Sequence, residues 1–183
     1  MRLCRYGILA AAVASLAGCS TSRSQDPSGE MSADLTSLSA DLRDLGGRTR
    51  ARATVEQVAD SLRVRLESVD LPAGAYGAHI HSSGRCDPPG FESAGPHWNP
   101  SAQQHGKDNP QGMHRGDLPN LLVGSDGRGS FEYTIPGGAG TAASRDGLLD
   151  GDGAAVVVHA KPDDFRTDPS GNSGPRLACG VLD

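Results

Sequence analysis

His79 and His81 alternate with Ala78 and Ile80, so on a β-strand both imidazoles project from one face and the two aliphatic side chains from the other. A His-x-His pair alone is equally a pair of solvent-facing side chains. His159 closes the apolar run Ala154–Val158 and, taken singly, reads equally as a polar strand end. The segment between these strands changes the balance, because His97, His105, His114 and Asp117 follow in close succession. Neutral imidazoles joined by a carboxylate suit tetrahedral Zn²⁺. The all-nitrogen set of His79, His81 and His159, with His97 as a fourth, suits Cu²⁺ in a tetragonal field. Two four-donor sites need one donor more than these seven residues supply. Sharing His97 resolves the count, since two flanking dications stabilise an imidazole that has lost both ring protons.

Such side chains need a rigid support, and the rest of the chain reads as strands. Alternation of apolar and polar residues runs through Arg50–Val55 and Leu62–Glu67, and similar runs cover 75–82, 118–123, 130–135, 154–160 and 177–182. With a weaker segment near Leu38–Leu45 these make eight strands. No sustained helical period is present. Abundant Gly (25) and Pro (12) also favour short strands joined by turns. An antiparallel sandwich or flattened barrel closes such strands with few free edges. Two long segments poor in apolar residues, Ser83–Arg115 and Lys161–Pro175, exceed what turns require. Loops of that kind are commonly functional.

The first residues read as an export signal: Arg2 and Arg5 precede the small-residue apolar run Gly7–Gly18, too short to span a bilayer comfortably. Leu16-Ala17-Gly18-Cys19 resembles the lipobox of bacterial lipoproteins, which implies cleavage before Cys19 and acylation of its thiol. The expected organisation is a signal peptide over 1–18, a polar stalk over 19–34 following the lipidated Cys19, and one domain over 35–183. The expected location is the periplasmic face of a bacterial envelope, or the soluble periplasm if the lipobox is unused. The lipid is then the chain's only link to a membrane. Cys4 leaves with the signal, so Cys86 and Cys179 remain in an oxidising compartment and are expected to pair. Loss of the signal removes two positive charges and takes the formal net charge from -5 to -7, which argues against nucleic acid as a partner.

Several motifs, in order, resemble the copper, zinc superoxide dismutases: Gly77-x-His79-x-His81, Ser93-Ala94-Gly95-Pro96-His97-x-Asn99-Pro100, His114-x-Gly116-Asp117-Leu118, and Gly171-Asn172-x-Gly174-x-Arg176-Leu177-Ala178-Cys179-Gly180. The resemblance covers the chain from about Leu35 onward. It implies an all-β fold, an eight-stranded antiparallel Greek-key β-barrel or sandwich of immunoglobulin-like architecture, with the two long loops walling the site. It also implies copper at His79, His81, His97 and His159, and zinc at His97, His105, His114 and Asp117, one ion of each per subunit. Asp163 matches the aspartate that accepts hydrogen bonds from one ligand of each metal, and Arg176 matches the arginine that guides the substrate. Lys161 and Ser170 are expected along the channel. The implied reaction converts superoxide to dioxygen and hydrogen peroxide, with His97 and Arg176 as the catalytic side chains. The rival reading is a non-catalytic periplasmic protein that holds copper and zinc. Trp98, Pro119, Pro175 and the position of Cys86 depart from the commoner pattern without removing a ligand. Bacterial members include monomers and dimers, so a homodimer is compatible with the resemblance.

Overall fold

The computed structural model describes residues 37–138, 147–148 and 150–183. The expected signal peptide, Cys19 and the stalk lie outside the described residues. The strands are β1 (Ser37–Arg43), β2 (Thr49–Val58), β3 (Ser61–Ser68), β4 (Gly74–Tyr76), β5 (Ala78–His81), β6 (Leu121–Val123), β7 (Ser130–Pro136), β8 (Ala155–His159) and β9 (Arg176–Val181). The only helical element among the described residues is a short 3₁₀ turn at Glu92–Ala94.

Seven strands form one antiparallel sheet in the order β5-β8-β9-β1-β2-β3-β7, and β4 pairs with β6. Because β4 runs into β5 while β6 leads to β7, the small ribbon joins the two edges of the large sheet and curls the whole into a Greek-key barrel. The β3–β4 and β7–β8 connections make the crossovers. The alternation seen in the sequence is the alternation of burial: Leu62, Val64 and Leu66 of β3 point inward while Arg63 and Arg65 face solvent. They pack with Ala51, Ala53, Val55, Ile80, Val156 and Val158 in one core.

Two expected strands differ in detail. The run 75–82 is broken at Gly77, whose N–H donates to the Lys161 carbonyl (2.8 Å) and whose carbonyl accepts from His159 N–H (2.8 Å). Its backbone is thereby turned from β6 toward β8, and one expected strand becomes β4 and β5. The run from Leu118 joins the ladder with β4 only from Leu121: Leu118 N–H donates instead to the Ala78 carbonyl (3.2 Å), Pro119 has no N–H, and Asn120 is held at Asp163, its Nδ2 donating to the Asp163 carbonyl (2.9 Å) and its Oδ1 accepting from the Asp163 N–H (2.8 Å).

Strands β5 and β8 are buried on both faces. Their inner face joins the core, whereas Ala155 and Val157 pack outside it with Phe91, Ala94 and Cys179 under the first long loop. The disulfide Cys86–Cys179, with Cα atoms 5.7 Å apart, fastens that loop to β9.

Candidate metal centre

The outer face of β5 and the end of β8 carry His79, His81 and His159, all buried. The free edge of β5 is lined by backbone from the first long loop and its continuation. Trp98 N–H donates to the Ile80 carbonyl (2.8 Å), Ile80 N–H to Gly116 (2.8 Å), and Ser82 N–H to Pro96 (2.9 Å). His97 is thereby set opposite His81, and Asp117 opposite His79. Gly116 is needed for this approach, since a Cβ there would overlap the Ile80 carbonyl oxygen.

One ring nitrogen of each of these three histidines is spoken for. His79 Nε2 lies 2.8 Å from Asp163 Oδ2, His81 Nδ1 2.8 Å from the Gly95 carbonyl, and His159 Nδ1 3.0 Å from the Gly174 carbonyl. An oxygen acceptor requires a proton on the facing nitrogen, so the tautomers leave lone pairs on His79 Nδ1, His81 Nε2 and His159 Nε2. Those three atoms are buried and have no hydrogen-bond partner. Buried polar atoms are seldom left unsatisfied, and three converging ones fit a cation that takes nitrogen donors. With His97 they form a four-histidine group whose donor atoms all lie within 4.8 Å of one another. Burial pushes the His79 imidazole down to about 3 and His159 to about 4, and lowers His81 and His97 as well. All four stay neutral near pH 7, the form that binds metal.

A second convergence centres on Asp117 Oδ1, which lies 2.9 Å from His97 Nδ1, 3.0 Å from His105 Nδ1 and 3.2 Å from His114 Nδ1. Burial raises the Asp117 carboxyl, but the hydrogen bonds with His105, His114 and His97 outweigh it and hold the group far below the usual carboxylate range. His105 spans two carboxylates, with Nε2 3.0 Å from Asp163 Oδ1. Burial opposes its charge, yet these carboxylates lift it to about 9. The site thus favours positive charge at this point, as a cation-binding site must. A second group of four donors lying within 4.8 Å of one another contains His79, His97, His105 and Asp117, with His79 in the place expected for His114. His79 has Nε2 committed to Asp163 and Nδ1 free toward the first group, so His114 Nδ1, 3.2 Å from His97 Nδ1, is the better fourth donor.

Asp163 links the two groups through His79 and His105. Burial raises its carboxyl, while hydrogen bonds from His105, His79 and Phe165 N–H lower it further, leaving it ionised. Gly171, at φ 61°, lies so close that a Cβ would overlap Asp163 Oδ1. Arg176 Nη1 donates to the Phe91 carbonyl (2.6 Å) and Nη2 to Gly95 (2.8 Å), with the Glu92 carboxylate 3.7 Å away. Gly95 therefore orients both His81 and Arg176. A cavity of about 620 Å³ is lined by His81, His97, His159, Ser170 and Arg176. Lys161, expected in the channel, is not among the described residues lining it.

Sequence reasoning missed Asn120, Arg115 and the part played by the Gly95 carbonyl. Arg115 sits over the Trp98 ring (4.5 Å) and donates from Nη2 to the carbonyls of Pro136 (2.9 Å), Gly137 (2.6 Å) and Gly138 (3.1 Å), tying the metal loop to the end of β7. Its place between His114 and Gly116 was the available signal.

The family model for copper/zinc superoxide dismutase (SODC) matches residues 49–182. The chain is 38% identical over 144 residues to "Superoxide dismutase [Cu-Zn] 1" of Aquifex aeolicus, covering 78% of this chain and 85% of that protein. It is 40% identical over 141 residues to "Superoxide dismutase [Cu-Zn]" of Caulobacter vibrioides, covering 74% and 79%. Among solved structures, a superoxide dismutase-like protein from Bacillus subtilis aligns with a TM-score of 0.72 at 37% identity, covering 79% of this chain and 97% of that one. The all-β barrel agrees with these matches, and the chain belongs to the copper/zinc superoxide dismutase family.

Proposed function

We propose that the protein is a superoxide dismutase of the bacterial cell envelope, tethered through Cys19 and active on superoxide. The observation that carries this reading is the set of three unpartnered, buried imidazole nitrogens, of which those of His81 and His159 belong to residues lining a cavity that also presents Arg176. His79, His81, His97 and His159 would hold copper, and His97, His105, His114 and Asp117 would hold zinc. Copper, when bound, supplies a one-electron couple, and zinc supplies charge without redox chemistry.

The side chains divide the remaining work. Arg176, fixed by two carbonyls, offers a planar cation that binds and orients a small anion. His97, with Nδ1 turned to the zinc group, holds or releases a proton at Nε2, on the cavity side. Asp163 fixes the rings of His79 and His105 and thereby the direction of their lone pairs. Two superoxide ions and two protons give one dioxygen and one hydrogen peroxide, so a proton donor beside the anion is required.

The test is metal analysis joined to a superoxide-consumption assay on purified, metal-loaded protein. Stoichiometric copper and zinc with turnover is the expected result. Full metal occupancy without turnover would favour the metal-holding reading, which the name of one relative, "Superoxide dismutase-like protein YojM" of Bacillus subtilis, keeps in view.

A further inference from the structure

Among the described residues, the lining of the cavity above the four-histidine group is acidic, the wrong sign for an anion. Its described lining holds three carboxylates, Glu92, Asp150 and Asp168, against one guanidinium, Arg176. Each acid comes from a different segment: the 3₁₀ turn of the first long loop, the β7–β8 connection, and the second long loop. Glu92 is 83% exposed at its side chain and Asp168 49%, so both face water at the entrance. Behind them lie Asp117 and Asp163, both held ionised. At the inner end of the same cavity, His81 Nε2 and His159 Nε2 are buried and unpartnered.

We infer that this cavity is an acidic vestibule that draws metal cations from solvent to the imidazole nitrogens of the metal-free protein. A low-dielectric cleft lined by one sign of charge raises the local concentration of the opposite ion and its association rate. The same carboxylates oppose entry of an anion, and that opposition is cancelled only when divalent cations are seated beneath them. The vestibule thus favours cations during loading and admits anions afterwards. This inference rests on the proposed metal sites and not on turnover.

The test is the rate at which metal-free, full-length protein takes up copper from cupric sulfate. The emission of Trp98, the only tryptophan and part of the same cavity wall, follows uptake, and copper retained after rapid desalting checks it. The wild-type rate should fall as ionic strength rises from about 0.01 to 0.15 M. In E92Q/D150N/D168N it should start about tenfold lower and vary little with salt, with final copper content unchanged. Glu92→Lys, a change at an exposed side chain, should slow uptake further than Glu92→Gln. Equal rates in all variants at low salt, or wild-type uptake indifferent to salt, would overturn the inference. Salt-sensitive uptake in a loaded protein that fails to consume superoxide would instead overturn the proposed function and leave the vestibule standing.

Discussion

At the scale of single residues, the centre depends on acceptors that aim the imidazoles. Asp163→Asn removes one of the two carboxylates that orient His105 and the one that orients His79 among the described residues. Metal affinity should then fall by about 10- to 100-fold in a chelator-competition titration, with the fold retained. Unchanged affinity would show that packing alone aims these rings. Arg176→Glu should keep both metals and lose most superoxide turnover, as followed in a steady-state assay of the loaded protein. Retained turnover would remove Arg176 from the mechanism. The histidines and Asp117 were legible because metal chemistry restricts its donors to a few residue types. The carbonyls of Gly95 and Gly174 were not, because any residue has a carbonyl and only the loop path decides which one meets a ring. Arg115 was equally hidden, since its partners lie in backbone more than twenty residues away.

At the scale of elements, strands were legible wherever one face is wet. β2 and β3 alternate as expected, whereas β8 is apolar from Ala155 to Val158 because a loop covers its outer face. The break at Gly77 left no mark in the alternation, since it depends on Lys161 and His159 arriving from β8 and beyond. The first long loop is held by its disulfide, whose cysteines are 93 residues apart. Replacing both cysteines by alanine should cost about 4 to 5 kcal/mol in denaturant unfolding, less any native strain. A loss below about 1 kcal/mol would mean that the loop is held by its other contacts. The second long loop is organised by Asp164, which accepts hydrogen bonds from Arg166 N–H (2.9 Å), Thr167 N–H (2.8 Å), Thr167 Oγ1 (2.7 Å) and Asn172 Nδ2 (2.9 Å). Hydrogen bonds from Thr167 above all hold its carboxyl at about 2, below the ordinary 3.8. The unfolded chain therefore takes up the proton first. The stability Asp164 contributes is complete above pH 3.8 and is lost as pH falls through about 2. Asp164→Asn should flatten the acid limb of the stability curve in that window, and an unaltered limb would exclude this role.

At the scale of the whole molecule, an anion-consuming reaction is proposed for a chain whose formal charge is -5. The field at the site must therefore come from bound metals and Arg176 and not from the overall balance. Cys19→Ser should release the protein from the membrane to the soluble fraction on cell fractionation, with the activity of the domain unchanged. A variant that stays with the membrane would argue against the lipid tether. The pairing of the metal loop with β5 has one more consequence. A strand with an open side offers a row of backbone donors and acceptors that a neighbouring molecule can extend. Here Pro96, Trp98 and Gly116 occupy that row, so the loop that delivers His97 also shields the sheet from intermolecular growth. Any lesion that frees this loop weakens metal binding and, in the same stroke, opens a template for aggregation.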